Sequence, residues 1–415
     1  MGDEASSAKR DRWADSSGSS EDEAKPAATA KRTAKRAEKD ERPNDEAARV
    51  DDSAVEARLP AAIPAAPPSP ARESSPAPAP ARRRVRQPLL DGCRSVDAFE
   101  RLDKIEEGSY GIVYRARDVA SREIVALKRV KLTREACVDG FPITALRETN
   151  VLLALQHENI VAVKEMVVGR EHDKVFMVME YFDHDLKQCV ERHDGPFSQA
   201  EVKCLAAQLL AGIEHMHSKW FIHRDIKTSN LLYSNTGKLS ICDFGLARRY
   251  GDPVLPYTRN VVTLWYRCPE LLLGCTEYST AVDMWSVGCV FAELLLKKPI
   301  FPGKTELEQL SSIFKQLGAP TEDRWPGYAK LPFASTFSWK AQKRNKLRDR
   351  FPKIGFGTMA TTPLTDEGHA LLDGLLALDP DARLDAHAAA THPYFQESPP
   401  PTPRHQMPTF QLQRV

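Results

Sequence analysis

Residues 221–248 read FIHRDIKTSNLLYSNTGKLSICDFGLAR, and this stretch decides how the rest of the chain is read. Asp225 is a carboxylate placed between Arg224 and Lys227. Asn230 follows on what reads as a turn before the apolar pair Leu231–Leu232. Asp243 then opens Asp243-Phe244-Gly245, after the alternating run Lys238–Cys242. The spacing predicts loop, short strand, turn, strand and loop, a path that returns Asp243 to the neighbourhood of Asn230. A carboxylate and an amide oxygen are hard ligands suited to Mg²⁺, which binds few protein oxygens and completes its shell with phosphates and water. Asp225 then remains to accept or orient a hydroxyl proton.

Upstream, Phe99–Glu107, Gly111–Asp118 and Glu123–Val130 alternate apolar and polar residues, as half-buried antiparallel strands do. Between the first two lies Glu107-Gly108-Ser109-Tyr110-Gly111, whose glycines allow a hairpin backbone to approach phosphates. Alone this is no more than a hairpin turn. Val125-Ala126-Leu127-Lys128 strengthens it, because Lys128 ends an apolar strand that buries its stem. A buried lysine needs an anionic partner, either nucleotide phosphates or Glu148. Pro142–Glu148 starts a helix, since proline suits the first turn. Glu148, Leu152 and Leu155 share one face of it. Ile143, Leu146 and Leu153 form a second apolar stripe, which must meet the other lobe or another protein.

The H-R-D-x-K-x-x-N and D-F-G strings, with Lys128 upstream and Cys268-Pro269-Glu270 downstream, form a phosphoryl-transfer signature. From about Phe99 to Phe395 the chain resembles a eukaryotic protein kinase. The resemblance implies an α+β, bilobal protein kinase fold. The small lobe, residues 96–182, is an antiparallel β-sheet with one key helix, and the large lobe, residues 183–395, is mainly helical. It also implies ATP and Mg²⁺, with Asp225, Lys227 and Asn230 catalytic and Asn230 and Asp243 on the metal. Lys227 would neutralise phosphoryl charge. Ile105, Glu106, Glu107, Gly108, Ser109 and Tyr110 would cover the nucleotide from the glycine loop, continued by Gly111, Ile112 and Val113. Ala126, Leu232, Lys128, Glu148, Asp243 and the hinge residues Glu180 and Phe182 would complete that site, with Met179 at its back. Glu106 departs from the first glycine of the family pattern, and it is expected to point outward.

The heptapeptide Pro142-Ile143-Thr144-Ala145-Leu146-Arg147-Glu148 narrows the resemblance to cyclin-dependent kinases. IEEGSYG, GFPITALRE, HRDIKTSN, TLWYR and STAVDMWSVGC resemble the PITSLRE branch, while EVKCL and MPTF put the PISSLRE branch second. This implies a cyclin that swings Glu148 toward Lys128, Ser/Thr-Pro substrates, and work in transcription, RNA processing or the cell cycle. Thr258 occupies the family's activating phosphosite, and Arg147, Arg224 and Arg248 the positions that receive its phosphate. Ser109 and Tyr110 match inhibitory phosphosites. Thr228 stands where many of these kinases have proline, and the exchange is expected to be harmless. Glu270 is expected to meet Arg383, and Asp283 to brace the catalytic loop. Cys242 would line the nucleotide pocket, most simply as an inert thiol, with alkylation by a pocket-directed electrophile as the sharper reading. A pseudokinase scaffold that binds a cyclin-like partner is the alternative function. A regulator that binds nucleic acid through a basic tail is a third.

The 415 residues allow two lobes plus tails, and the net charge of +1 gives no global argument for nucleic acid or membrane. The eight cysteines lack C-x-x-C spacing and read as reduced thiols. No apolar run reaches the about 18–20 residues that span a bilayer. Residues 1–95 are Ala, Pro, Ser and charge, with Trp13 the only aromatic, and are expected to be disordered. Basic clusters at Lys31, Arg32, Lys35 and Arg36 and at Arg82, Arg83, Arg84 and Arg86 suggest nuclear import, and Ser69-Pro70 and Ser75-Pro76 phosphorylation. Residues 396–415 are Pro-rich and expected to be flexible, or docked along the small lobe through Met407 and Phe410.

Overall fold

The computed structural model describes residues 92–108, 111–130, 143–169, 174–251, 253–254, 256–259, 261–336, 345–351 and 362–411. Residues 1–91 of the expected disordered tail, with its basic clusters, and Ser109 and Tyr110 lie outside the described residues.

The small lobe is a six-stranded sheet of order β1-β5-β6-β4-β3-β2. Its strands are β1 (Arg94–Ser95), β2 (Phe99–Gly108), β3 (Gly111–Asp118), β4 (Ile124–Val130), β5 (Val163–Val168) and β6 (Val175–Glu180). Alternation along β3 buries Tyr114 and Ala116 against Phe99, Val125, Leu127 and Phe176. Strand β1 corrects the expected boundary at residue 95. Arg94 pairs in parallel with Val167. Its guanidinium reaches Asp118 at 2.7 Å and Glu165 at 2.6 Å. Two hydrogen-bonded residues with no apolar alternation leave no periodic signal to read.

Helix α1 (Ile143–Ala154) lies in the same lobe. Val151, Leu152 and Leu155 are buried on the core side, whereas Leu153 is 55% exposed. The two-stripe reading therefore holds at the residues whose side chains are described.

The large lobe begins with β7 (His184–Asp185), α2 (Leu186–Arg192) and α3 (Gln199–Ser218). The Ser198 hydroxyl accepts from the Glu201 N–H, and the Glu201 carboxylate answers the Ser198 N–H, so α3 starts at the expected capping box. Short strands follow: β8 (Phe221–Ile222), β9 (Leu231–Tyr233), β10 (Leu239–Ile241) and β11 (Arg248–Arg249). Strands β9 and β10 form an antiparallel hairpin, and β8 pairs with β11. Helices α4 (Pro269–Leu272), α5 (Ala281–Leu296), α6 (Glu306–Leu317), α7 (Leu347–Arg350), α8 (Asp366–Leu375) and α9 (Ala386–Ala390) complete it. From Val282 to Leu296 every residue of α5 is buried, as expected of a helix that is apolar all round. It is the central post of the lobe.

The C-terminal segment is a correction. Residues 396–411 do not follow the small-lobe sheet but run mainly over the large lobe, touching the small lobe at Glu158. The Lys203 ammonium, fully buried, donates to the carbonyls of Glu397 and Pro399 at 2.8 Å each. Tyr233 donates to the Pro408 carbonyl at 2.6 Å. The Asn235 side chain clasps Phe410, accepting from its N–H at 2.8 Å and donating to its carbonyl at 2.9 Å. Arg404 forks onto Glu158 at 3.0 and 3.1 Å. Proline-rich backbone keeps its carbonyls open as acceptors and has less freedom to lose on docking. Gly237 makes room for it: φ is +78°, and a Cβ there would meet the Arg404 carbonyl oxygen at 2.0 Å.

Among the described residues, no helix is long and apolar enough to cross a membrane. Cys93, Cys189, Cys204, Cys242, Cys268, Cys275 and Cys289 are free thiols.

Candidate active site

The loop between β8 and β9 carries Asp225, and α5 holds that loop from below. Asp283 accepts the N–H of His223 and of Arg224 at 2.8 Å each, and it pairs with His217 at 3.1 Å. Burial alone would raise its pKa. The hydrogen bond and charge of His217, with the loop N–H groups, outweigh burial and hold it below the usual carboxylate value. Arg224 itself sits at φ +68°, as Asp243 does at +62° and Val262 at +65°. Left-handed backbone at non-glycine residues costs of order 1 kcal/mol each, and such strain gathers at functional sites.

Asp225 is buried, and its oxygens are fully engaged. Lys227 donates to Oδ2 at 2.8 Å, and the Asn230 amide donates to Oδ2 at 3.0 Å and to the Asp225 carbonyl at 2.9 Å. Thr263 supplies its N–H at 3.2 Å and its hydroxyl at 2.9 Å to Oδ1. Lys227 also reaches the Thr263 hydroxyl at 3.1 Å. Nothing in the sequence around Thr263 marks it as a partner of Asp225. Its role depends on a chain reversal 38 residues later that no local pattern announces.

Across the cleft, Lys128 on β4 pairs with Glu148 on α1 at 2.6 Å and stands 3.7 Å from Asp243. Burial pulls the Lys128 ammonium down, but Glu148 and then Asp243 outweigh it and leave its pKa raised. The pair expected to need an outside subunit is already closed in this conformation. Phe244 is fully buried, edge-on to His223 at 4.8 Å, which fixes Asp243 beside it. Oδ1 of Asp243 is buried and has no hydrogen-bond partner. Both contacts of the Asn230 amide nitrogen go to Asp225, so its oxygen is the atom left to ligate. An orphaned carboxylate oxygen near an amide oxygen is a donor set that fits a hard divalent cation.

The residues expected at the nucleotide lie mainly on β2, β3, β4 and the end of β6. Val113 faces Lys128 across β3 and β4, and Ala126 faces Met179 across β4 and β6. The Glu180 N–H goes to the Ala162 carbonyl, its carboxylate goes to Lys238, and Phe182 is buried beneath Lys238. Ile105 is 45% exposed at the rim. Gly111 can only be glycine, since a Cβ would meet the Arg129 carbonyl oxygen at 2.3 Å. Glu106 is exposed, but the outward reading fails. Irregular register between Lys104 and Glu106 pairs it with Val113 and so gives it that residue's face. Cys242 is not activated: burial, then the Asp243 charge, pushes its thiol well up.

Arg147, Arg224 and Arg248 do come together. Burial first, then the charges of Arg224 and Arg147, lowers the pKa of Arg248. Tyr278 accepts from Arg224 at 2.9 Å and donates to the carbonyl of exposed Thr258 at 2.7 Å, linking that residue to the cluster. The two structural pairings also form. Arg383 meets Glu270 at 2.7 and 3.0 Å, and Asp283 braces the loop as described. Sequence reasoning missed a buried contact set beneath Lys227, where Thr228 meets Tyr266 and Glu293.

A family profile described as "Protein kinase domain" matches residues 99–395. "Cyclin-dependent kinase G-2" of Oryza sativa subsp. indica is 58% identical over 322 residues, 78% of this chain and 45% of that protein. "Cyclin-dependent kinase 11B" of Homo sapiens is 51% identical over 323 residues, 78% of this chain and 39% of that protein. Its namesake in Rattus norvegicus is 50% identical over 323 residues, 78% of this chain and 72% of that protein. The chain spans less than half the length of the rice and human relatives. The Lys128–Glu148 pair, the Asp225 network and Asp243 lie within the matched span, and with these relatives they place the chain in the protein kinase family, among the cyclin-dependent kinases.

Proposed function

We propose that the chain is a cyclin-dependent Ser/Thr protein kinase that transfers the γ-phosphoryl of ATP to Ser or Thr followed by Pro. The observation that carries this reading is the engaged Asp225, held by Lys227, Asn230 and Thr263, in the cleft where Lys128 pairs with Glu148. Asp225 orients the acceptor hydroxyl and takes its proton. Lys227 offsets charge on the transferring group, and Lys128, steadied by Glu148, holds the nucleotide phosphates. The Glu180 carbonyl and the Phe182 backbone hold the base. Asn230 and Asp243 would hold Mg²⁺, which supplies charge neutralisation when bound.

The preference for proline is supported by Val262 and Arg267. Arg267 donates to the Val262 carbonyl from Nε at 3.2 Å and from its terminal nitrogen at 3.0 Å. That carbonyl is therefore committed and is a poor acceptor for a substrate N–H. Proline, which has no N–H, loses least there. The cyclin requirement rests on exposed Leu153 on the Glu148 helix and on the names of the relatives. Phosphate on Thr258 would gather Arg147, Arg224 and Arg248. Nuclear work in transcription or RNA processing rests on the PITSLRE resemblance and the basic clusters, and fractionation of cells expressing the tagged chain tests the location. The pseudokinase reading is disfavoured, because none of Lys128, Glu148, Asp225, Lys227, Asn230 and Asp243 is missing.

The test uses full chain co-purified with its cyclin, ATP–Mg²⁺, and peptides with Pro or Ala after the acceptor. Wild type should label the Pro peptide preferentially, and Asp225→Asn should lose about 10²–10⁴-fold. No phosphate transfer by the wild-type complex to any acceptor would end the reading.

A further inference from the structure

We propose that Thr228 is a positioning residue for phosphoryl transfer, its hydroxyl joining Tyr266 and Glu293 to lock the catalytic loop onto the turn that follows Thr263. Thr228 opens the helical turn Thr228–Asn230, directly after Lys227. Tyr266 closes the turn Leu264–Tyr266, directly after Thr263. Thr228 Oγ1 lies 3.1 Å from Tyr266 Oη and 3.2 Å from Glu293 Oε1. Tyr266 Oη donates to Glu293 Oε2 at 2.7 Å. Thr228, Tyr266 and Glu293 are 1%, 6% and 5% exposed, so water does not compete for these contacts.

The two segments thus meet at two levels. Above, Thr263 and Lys227 share Asp225. Below, Thr228 and Tyr266 share a carboxyl on α5. Rotation of one segment against the other would change where Asp225 points, and the lower contact resists it. A proline at position 228 could not make this contact, because it has no hydroxyl.

The protons bear on how the knot closes. Three oxygen–oxygen contacts form a ring, and the two hydroxyls supply two protons. Both go to the carboxylate, Thr228 donating to Oε1 and Tyr266 to Oε2, so Glu293 is the acceptor that closes the ring. Burial raises the Glu293 pKa, against the lowering hydrogen bonds of Tyr266 and Thr228. Lys187 and Glu191 on α2 are the charged groups that bear on it, with opposite signs. Cys289, one turn earlier on α5, is buried with its thiol pushed well up by burial and so stays neutral.

The inference rests on the kinase reading for its rate consequence, and one of its readouts does not. In the full chain, Thr228→Val should speed amide hydrogen exchange in 225–231 and 263–267 about tenfold, while Thr228→Ser stays within about twofold of wild type. Tyr266→Phe should reproduce the Thr228→Val effect, and the double variant should add little. In the cyclin complex, Thr228→Val should lower kcat about tenfold and leave KM for ATP within about twofold. Thr228→Ser should restore kcat. Unchanged exchange in Thr228→Val, or equal damage from Ser and Val, overturns the proposal. So does a rise in KM for ATP that accounts for the loss. A silent wild-type complex would refute the kinase reading instead, and exchange would still judge this one.

Discussion

Replacing Arg383 by methionine should be among the most damaging single changes outside the cleft. Its side chain is fully buried and that of Glu270 is 3% exposed. The guanidinium meets both Glu270 oxygens at 2.7 and 3.0 Å, and it also donates to the carbonyls of Ala281 and Ala377 at 2.7 and 3.0 Å. It lies over Trp285, 5.1 Å from the ring centroid. Burial works against the charged arginine, but Glu270 more than compensates and raises its pKa. Methionine fills similar space and leaves the buried Glu270 carboxylate without its cation. Breaking a buried pair in this way costs about 3–5 kcal/mol, a large share of the about 5–15 kcal/mol that holds a typical domain. At about 2 °C per kcal/mol for a large domain, the melting temperature at neutral pH should fall by about 6–10 °C. Thermal denaturation of the full chain followed by circular dichroism reads this. Arg383→Met combined with Glu270→Leu removes the orphan charge and should recover most of the loss. A single variant that melts within about 2 °C of wild type would refute the reasoning, as would a double variant no better than the single.

Glu293→Gln should gain on wild type as pH rises. The folded pKa of Glu293 is raised, mainly by burial, so its stabilising share is present below the unfolded value of about 4.3 and is lost as pH climbs through the folded value. The melting-temperature difference, Gln variant minus wild type, should therefore grow as pH rises from about 4 toward neutrality, and a flat difference contradicts it. Cys242 should resist electrophiles, given a thiol raised by burial and Asp243. Iodoacetamide labelling at pH 7.5 should be equal in wild type and Cys242→Ala, and excess labelling of wild type would restore the reactive reading. Gly237→Ala should dislodge the C-terminal segment, since its Cβ would strike the Arg404 carbonyl. Cleavage by trypsin at Arg404 should speed up, whereas Glu158→Ala, which removes an exposed pair, should cost only about 0.5 kcal/mol.

Reading the sequence went furthest where the signal was local or paired. Ser198 and Glu201 are three positions apart and announce the start of α3 by themselves. Asn230 and Asp243 flank one short hairpin, with Asp225 just before it, so their convergence follows from its length. Glu270 with Arg383 and Asp283 with the loop came from the family resemblance, since nothing local ties residues so far apart. The face of Glu106 was lost to an irregularity of register, which no alternation rule foresees. The C-terminal segment was misjudged because composition reports on apolar burial. Its docking depends instead on side chains that reach its backbone: Lys203, Tyr233 and Asn235. Thr228 was read as harmless because its partners, Tyr266 and Glu293, lie 38 and 65 residues downstream.

Strand β1 bears on where this domain can be cut. The family profile opens at Phe99, but Arg94 and Ser95 already cover the outer rim of β5. A fragment begun at Phe99 would bare the hydrogen-bonding groups of Val167 and Val168, and it would strip Asp118 and Glu165 of their shared cation. Naked strand rims invite other chains to add on, so such a fragment should clump where one begun at Gly92 stays dispersed.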